Sequence, residues 1–142
     1  LILGYFFLRS QILINKEVVK IGRREEGSIS ELKVLVHVRN RSNKTLNNIH
    51  ITDYIPSLLE IIPESSLGSI APSKVLRHDK KGTILKWDIV KLEPFEERVI
   101  TYRIKSKLSI IGGLTLPFCS VNFSPKEGKQ RTVTSNTLNI GS

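Results

Sequence analysis

The sequence contains no methionine, a single cysteine, a single tryptophan and few other aromatic residues. Because methionine is missing even at position 1, we expect the sequence to be a segment of a longer protein. The single cysteine, Cys119, excludes an intrachain disulfide, so the chain is not a small scaffold held by disulfides. Its apolar surroundings in the sequence predict a small buried hydrophobic side chain.

Apolar runs long enough to cross a membrane are also missing. Residues 1–8 read LILGYFFL, whereas a membrane-spanning helix needs about 20 apolar residues. These residues are either the end of a trimmed transmembrane helix or a first β-strand. The abrupt change to polar sequence at Arg9 favours the helix, so a membrane tether would lie in the segment preceding Arg9. We therefore separate residues 1–10 from a domain over residues 11–142.

The residue sets that usually support catalysis are absent from the sequence. His37, His50 and His78 are the three histidines, and none has metal-ligand spacing to another, nor is there a second cysteine for a zinc site. No phosphate-binding glycine loop, EF-hand pattern or pair of catalytic carboxylates is visible. Cys119 lacks the elbow or helix terminus that activates a thiol. We predict a non-enzyme with no catalytic, cofactor-binding or metal-binding residue.

Positive charge is abundant, with a net charge of +9. Such an excess favours contact with nucleic acid, anionic lipid or acidic polymers. The basic residues are scattered along the chain, and an aromatic content of 6% offers no base-stacking platform. A solvated lysine-rich surface is therefore favoured, and nucleic acid is disfavoured as a partner. The basic residues that follow residue 8 are typical of a cytoplasmic flank, so the membrane orientation stays open.

Alternation of apolar and polar residues dominates the chain and is typical of half-buried strands. In residues 32–39, for example, Leu32, Val34, Val36 and Val38 fall on one face. Further strands are predicted at residues 49–52, 75–79, 83–92 and 98–105, with a closing hairpin of residues 114–123 and 131–140. Residues 57–73 read as a crossover between sheets that carries one or two short strands.

Turn signals recur at about every 8–12 residues, the spacing expected of a sandwich. Pro56 lacks the donor that a central strand needs, so a strand should stop near Asp53. Trp87 is predicted to be the largest single contributor to the core. The pattern predicts one all-β domain, an immunoglobulin-like antiparallel β-sandwich of about seven to nine strands.

Two stretches also resemble a known family. Residues 38–56 read VRNRSNKTLNNIHITDYIP, and residues 85–104 read LKWDIVKLEPFEERVITYRI. Over residues 16–140 the chain resembles the prokaryotic surface-repeat family catalogued as domain of unknown function eleven, in its archaeal type. The matching positions are Asn40, Asn43, Asp53, Pro56, Trp87, Leu92, Pro94 and Tyr102. The resemblance implies an immunoglobulin-like sandwich, frequent in membrane-anchored and cell-envelope proteins, and it implies no activity.

The matching residues also have a structural interpretation. Asp53 is expected to form an Asx-type turn before Pro56, and Asn40 and Asn43 to form a polar turn. The sequence departs from the family at Glu96, after Phe95, where members carry glycine, so the geometry of that turn is open. Three sequons begin at Asn40, Asn43 and Asn122, of which Asn40 and Asn43 are predicted to be accessible candidates for glycosylation.

The sequence leads to two function hypotheses. The first is a non-catalytic structural or interaction module, a spacer or adhesive unit of a larger membrane-anchored or cell-envelope protein, with other protein domains or envelope components as partners. The alternative is a charge-driven binding module for nucleic acid, anionic lipid or acidic polysaccharide. No cofactor is expected under either hypothesis.

Overall fold

The computed structural model describes residues 11–23, 29–66, 69–78, 80–106, 113–126 and 129–140. Within these ranges the chain forms eleven β-strands and no helix. The two interpretations of residues 1–10 lie outside the described residues.

The strands follow the alternating pattern of the sequence. They are β1 (Ile12–Arg23), β2 (Ile29–Asn40), β3 (Leu46–Ile55), β4 (Leu59–Ile61), β5 (Lys74–His78), β6 (Gly82–Leu92), β7 (Glu97–Ser106), β8 (Leu114–Leu116), β9 (Ser120–Lys126), β10 (Lys129–Thr134) and β11 (Leu138–Ile140). Three of them (β4, β8 and β11) are only three residues long. The strands beyond the predicted seven to nine are β1, which the sequence did not predict, and β8 and β11, which arise because the two arms of the predicted closing hairpin are each split.

The strands build two antiparallel sheets and a small accessory ribbon. One sheet has the order β1-β2-β7-β4, the other the order β10-β9-β3-β6-β5, and β8 pairs with β11 separately. Every strand pairing is antiparallel. The predicted fold class, an immunoglobulin-like antiparallel sandwich, is confirmed.

The core lies between the two large sheets. Its inward rows are those that the alternation predicts: Leu32, Val34, Val36 and Val38 on β2, Ile49 and Ile51 on β3, Leu85, Trp87 and Ile89 on β6, and Ile100, Tyr102 and Ile104 on β7. Trp87 is fully buried, and its ring centroid lies 5.8 Å from that of Tyr102 on the opposite sheet. The prediction for Trp87 is therefore confirmed.

The strand β1 is absent from the set of strands that the sequence predicted. Its inward row contains Ile12, Ile14 and then Lys16, which is buried. A lysine in the middle of an inward row breaks the apolar alternation on which strand prediction depends. The strand nevertheless pairs with β2 over almost its whole length.

The end of β3 corrects the predicted role of Asp53. The strand continues to Ile55 and stops before Pro56, as expected of proline, but Asp53 lies inside it, paired in register with Leu85. The Asx-turn interpretation of Asp53 is therefore wrong. The strand continues past this carboxylate because buried donors on other strands satisfy it.

The predicted closing hairpin is present but interrupted. Strands β9 and β10 pair with each other, as predicted. Residues 117–119 and 135–137 break both arms, and the outer parts, β8 and β11, pair in their own ribbon. On the first arm the interruption begins at Pro117, because proline has no N–H to donate to the hydrogen-bond ladder of a sheet.

Candidate functional site: a buried lysine–aspartate–tyrosine cluster

Two opposite charges meet inside the sandwich. Lys16 points inward from β1 of the four-stranded sheet, and Asp53 points inward from β3 of the five-stranded sheet. The Lys16 Nζ atom lies 2.7 Å from Asp53 Oδ1, and both side chains are 0% exposed. The pair therefore bridges the two sheets across the core.

A third polar side chain completes this cluster of Lys16, Asp53 and Tyr102, which we call the core triad. Tyr102 lies on β7, and its hydroxyl donates a hydrogen bond to Asp53 Oδ2. The two carboxylate oxygens thus have different partners, since Oδ1 accepts from the lysine and Oδ2 accepts from the tyrosine.

Two backbone groups also form hydrogen bonds with the charged side chains of the triad. The Lys16 ammonium also donates to the carbonyl of Pro117 at 3.0 Å. The backbone N–H of Tyr54 donates to Asp53 Oδ1 at 2.9 Å. Removing charges from water is costly, and this arrangement of close, well-directed partners is what makes a buried pair tolerable.

Asn136 holds the backbone of β1 at the same position. The Lys16 N–H donates to Asn136 Oδ1 at 2.9 Å, and Asn136 Nδ2 donates to the Lys16 carbonyl at 2.9 Å. The carboxamide thus takes the place of a neighbouring peptide group along the outer edge of β1. It fixes Lys16 and covers part of an edge that would otherwise be open to another strand.

Burial controls the protonation of the groups around the triad. It raises the pKa of Tyr102 well above the ordinary value, and the negative charge of Asp53 raises it further, so the hydroxyl stays a donor. Burial, followed by the same negative charge, also raises the pKa of the Cys119 thiol. Cys119 is fully buried and stays a neutral thiol at neutral pH.

The structure brings together only some of the residues that the sequence singled out. Asp53 and Tyr102 meet, with Trp87 beside them, whereas Pro56 and Pro94 lie in turns and contribute only to chain direction. Sequence reasoning missed Lys16. The one available signal was a lysine on the inward phase of the row Ile12, Ile14, Lys16, Val18, although that row was too irregular to be predicted as a strand.

Asn40 and Asn43 have different environments. Asn40 is 0% exposed, and its Nδ2 donates to the carbonyls of Lys44, Leu92 and Glu93, so it fastens two turns together. The prediction that Asn40 is accessible is therefore wrong, because the folded chain uses its amide. Asn43 is exposed, and its glycosylation stays a prediction.

The turn at residues 93–96 resolves the question raised by Glu96. The residue with a left-handed backbone is Phe95, with φ of 61°, directly after Pro94. Glu96 instead accepts a hydrogen bond from the Glu93 N–H, and this bond, followed by that from Arg98, lowers the pKa of Glu96. Glycine is therefore favoured on conformational grounds at position 95 rather than at position 96.

Among the described residues, polar side chains outside the core do not converge into a comparable site. His50 hydrogen-bonds Asp88 at 2.6 Å on the outer face of the five-stranded sheet, and this bond lowers the pKa of Asp88. A cleft of about 330 Å³ between β4 and β5 is lined by Glu60, Arg77, His78 and other residues. Across the described ranges, no group of three or more His, Cys, Asp or Glu side chains is placed to hold a metal ion. No helix within those ranges is long and apolar enough to cross a membrane.

Comparisons with known proteins support the fold. No protein-family model and no curated protein matches the chain, so the resemblance to the surface-repeat family stays a prediction. Among solved structures, a GH20 exo-β-N-acetylglucosaminidase from Vibrio harveyi matches 89% of the chain at 13% identity, with a TM-score of 0.54. The chain spans only 18% of that glycosidase chain.

Two further matches are more distant. The RrgA Jo.In complex matches 94% of this chain and 100% of its own at 11% identity, with a TM-score of 0.49. The yeast delta-COP-I mu-homology domain, in complex with a Dsl1 WxWxV peptide, matches 80% of this chain and 39% of its own at 16% identity, with a TM-score of 0.45. The arrangement of the sheets defines the class: this chain is an immunoglobulin-like β-sandwich whose polar core triad joins its two sheets.

Proposed function

We propose that this chain is a non-catalytic structural or interaction module, a spacer or adhesive unit within a larger membrane-anchored or cell-envelope protein. One observation carries the proposal. The side chains most suited to catalysis are those of the core triad and Cys119. They are buried between the sheets, where the triad side chains contact one another and, within the described ranges, none lines a cleft. Such groups serve the fold, because no substrate reaches them.

The surface offers a means of contact. Strand β5 lies at the edge of the five-stranded sheet, and all five of its residues are exposed. Val75 and Leu76 on this strand are 41% and 48% exposed. An exposed edge with apolar side chains is suited to pairing with a strand of another domain. The resemblance over residues 16–140 is the support for an envelope location.

Cell fractionation tests this location. An antibody raised against the chain should detect the native protein in the membrane or envelope fraction of the cells that produce it. Detection only in the cytosolic fraction would reject an envelope module. A cytosolic marker and a membrane marker, followed in the same fractions, provide the controls.

A charge-driven binding module is the second candidate, and one feature of the surface favours it. Lys74 and Lys86 lie directly opposite each other on β5 and β6, and both line a cleft of about 320 Å³ that His50 and Asp88 also line. An anionic polymer or lipid surface would find two lysines there, although Asp88 reduces the local excess of positive charge.

Binding to heparin, duplex DNA and anionic vesicles at low ionic strength tests this candidate. Retention that falls with added salt, and that falls further in a Lys74→Gln/Lys86→Gln variant, would support it. A Lys20→Gln/Lys44→Gln variant makes the same change of net charge at exposed positions elsewhere and should have a smaller effect. Absence of binding to all three ligands at low ionic strength would reject the candidate.

A further inference from the structure

We propose that Lys16 and Asp53 condense into an intramolecular amide bond, a covalent cross-link between the two sheets. The two side chains come from strands of different sheets, 37 residues apart in the sequence, and their reactive ends lie 2.7 Å apart with 0% exposure. The inference goes beyond the proposed function and does not depend on the location of the protein.

The fold supplies the proximity that such a reaction needs. Lys16 is fixed by Asn136 on its backbone, and its Nζ is directed by the carbonyl of Pro117. Asp53 is held by the interior position of β3 between β6 and β9. Two reactants that cannot diffuse apart react as though each were present at a very high concentration.

The reaction begins with a proton transfer inside the buried pair. Transfer of one proton from the lysine ammonium to Asp53 Oδ1, along the existing hydrogen bond, gives a neutral amine and a neutral carboxylic acid. Both side chains are 0% exposed, so the transfer takes place in an enclosed site. The same enclosure keeps bulk water from the product and so disfavours hydrolysis.

The condensation is balanced without any co-reactant. The lone pair of Lys16 Nζ attacks Asp53 Cγ and forms the Nζ–Cγ bond, while the pair of electrons of the carbonyl moves to Oδ2. Collapse of this tetrahedral intermediate breaks the Cγ–Oδ1 bond. Two of the three ammonium protons leave with Oδ1 as one water molecule, and the third stays on the amide nitrogen. No group is oxidised or reduced.

Tyr102 is placed to assist the attack. Its hydroxyl donates to Oδ2, the oxygen on which negative charge develops in the tetrahedral intermediate. A fixed donor at that atom stabilises the charge as an oxyanion hole does. Because Tyr102 touches a reacting atom and stays protonated, it acts as a catalytic residue for this self-modification.

The surroundings fit the amide product. An ammonium has three donors to satisfy, whereas a secondary amide has one N–H and one carbonyl. The carbonyl of Pro117 already accepts from Lys16 Nζ, and the hydroxyl of Tyr102 already donates to Asp53 Oδ2. Both groups of the product therefore find partners among the groups that already contact the pair.

Intact mass spectrometry of the purified chain under denaturing conditions tests the proposal. We expect a mass lower by one water molecule than the sequence mass, and a proteolytic digest that contains a branched peptide joining the segments of Lys16 and Asp53. A folded chain with the full sequence mass and two unbranched peptides would overturn it. This readout needs no variant, so a failure of variants to fold would not prevent the test.

Variants assign the cross-link to the two residues. Lys16→Arg keeps a positive charge but cannot form the amide, and Asp53→Ala lacks the carboxyl group, so each should have the full mass expected for its sequence. Asp88→Ala, the matched control, removes an exposed carboxylate and should keep the deficit of one water. A deficit that persists in Asp53→Ala would overturn the assignment. Tyr102→Phe should give a mixture of both masses, and complete conversion would overturn the role of its hydroxyl.

Discussion

Cys119 illustrates at the scale of a single residue how position decides chemistry. A thiol reacts as thiolate, and burial together with the charge of Asp53 raises the pKa of this one. The fully buried side chain is also closed to reagents. The prediction of a small buried hydrophobic residue at this position is confirmed by the structure.

We expect the Cys119 thiol to resist alkylation in the folded protein at neutral pH. The same reagent should modify it promptly in denaturant, where both burial and the nearby charge are lost. Mass spectrometry after timed exposure to a maleimide measures both rates. Equal labelling in the two conditions would contradict the position assigned to this side chain.

Phe95 is the residue for which backbone conformation decides the effect of a substitution. Its left-handed φ of 61° costs a side chain about 1–2 kcal/mol, and glycine avoids that cost. We therefore predict that Phe95→Gly is more stable than Phe95→Ala by about 1 kcal/mol, which reverses the usual order of these two residues. Urea denaturation of both variants measures the difference, and greater stability of the alanine variant would contradict the assigned turn.

At the scale of the element, the entry into β6 depends on Gly82. Its φ is +97°, and an added Cβ would lie 2.1 Å from the carbonyl oxygen of Ile55 at the end of β3. The strand pair β3–β6 therefore closes directly over this glycine. A side chain here is opposed both by the backbone conformation and by the neighbouring backbone, neither of which relaxes cheaply.

We predict that Gly82→Ala lowers the free energy of unfolding by more than about 2 kcal/mol. Lys81→Ala, an exposed change in the same turn, is the matched control and should alter it by less than about 0.5 kcal/mol. Chemical denaturation of the two variants and the parent gives the comparison. A Gly82→Ala variant as stable as the control would show that β3 and β6 do not approach as described.

Most elements could be predicted from the sequence because each inward row is apolar without interruption. Strands β2, β6 and β7 are of this kind, and their buried faces are those that alternation predicts. Strand β1 and the last part of β3 could not be predicted, because each carries a charged residue in its inward row. Lys16 and Asp53 compensate each other across the core, and such long-range pairing leaves no local pattern in the sequence.

At the scale of the whole molecule, the core triad decides how the two sheets are joined. Lys16 and Tyr102 belong to one sheet and Asp53 to the other. Apolar packing is non-directional, so these hydrogen bonds help to fix how one sheet is positioned on the other. The family resemblance pointed to Asp53 and Tyr102 separately. Their meeting follows from topology, which places β7 opposite β3, and local sequence does not report it.

The central claim is that Lys16 is sealed between the sheets beside Asp53. Brief acetylation of the native protein, followed by peptide mass mapping, tests it most directly. We predict that Lys16 gains no acetyl group, whether it is a free amine or is joined to Asp53 as an amide, while the exposed lysines Lys20, Lys44 and Lys91 react. Acetylation of Lys16 as fast as that of Lys91 in the folded protein would contradict the account.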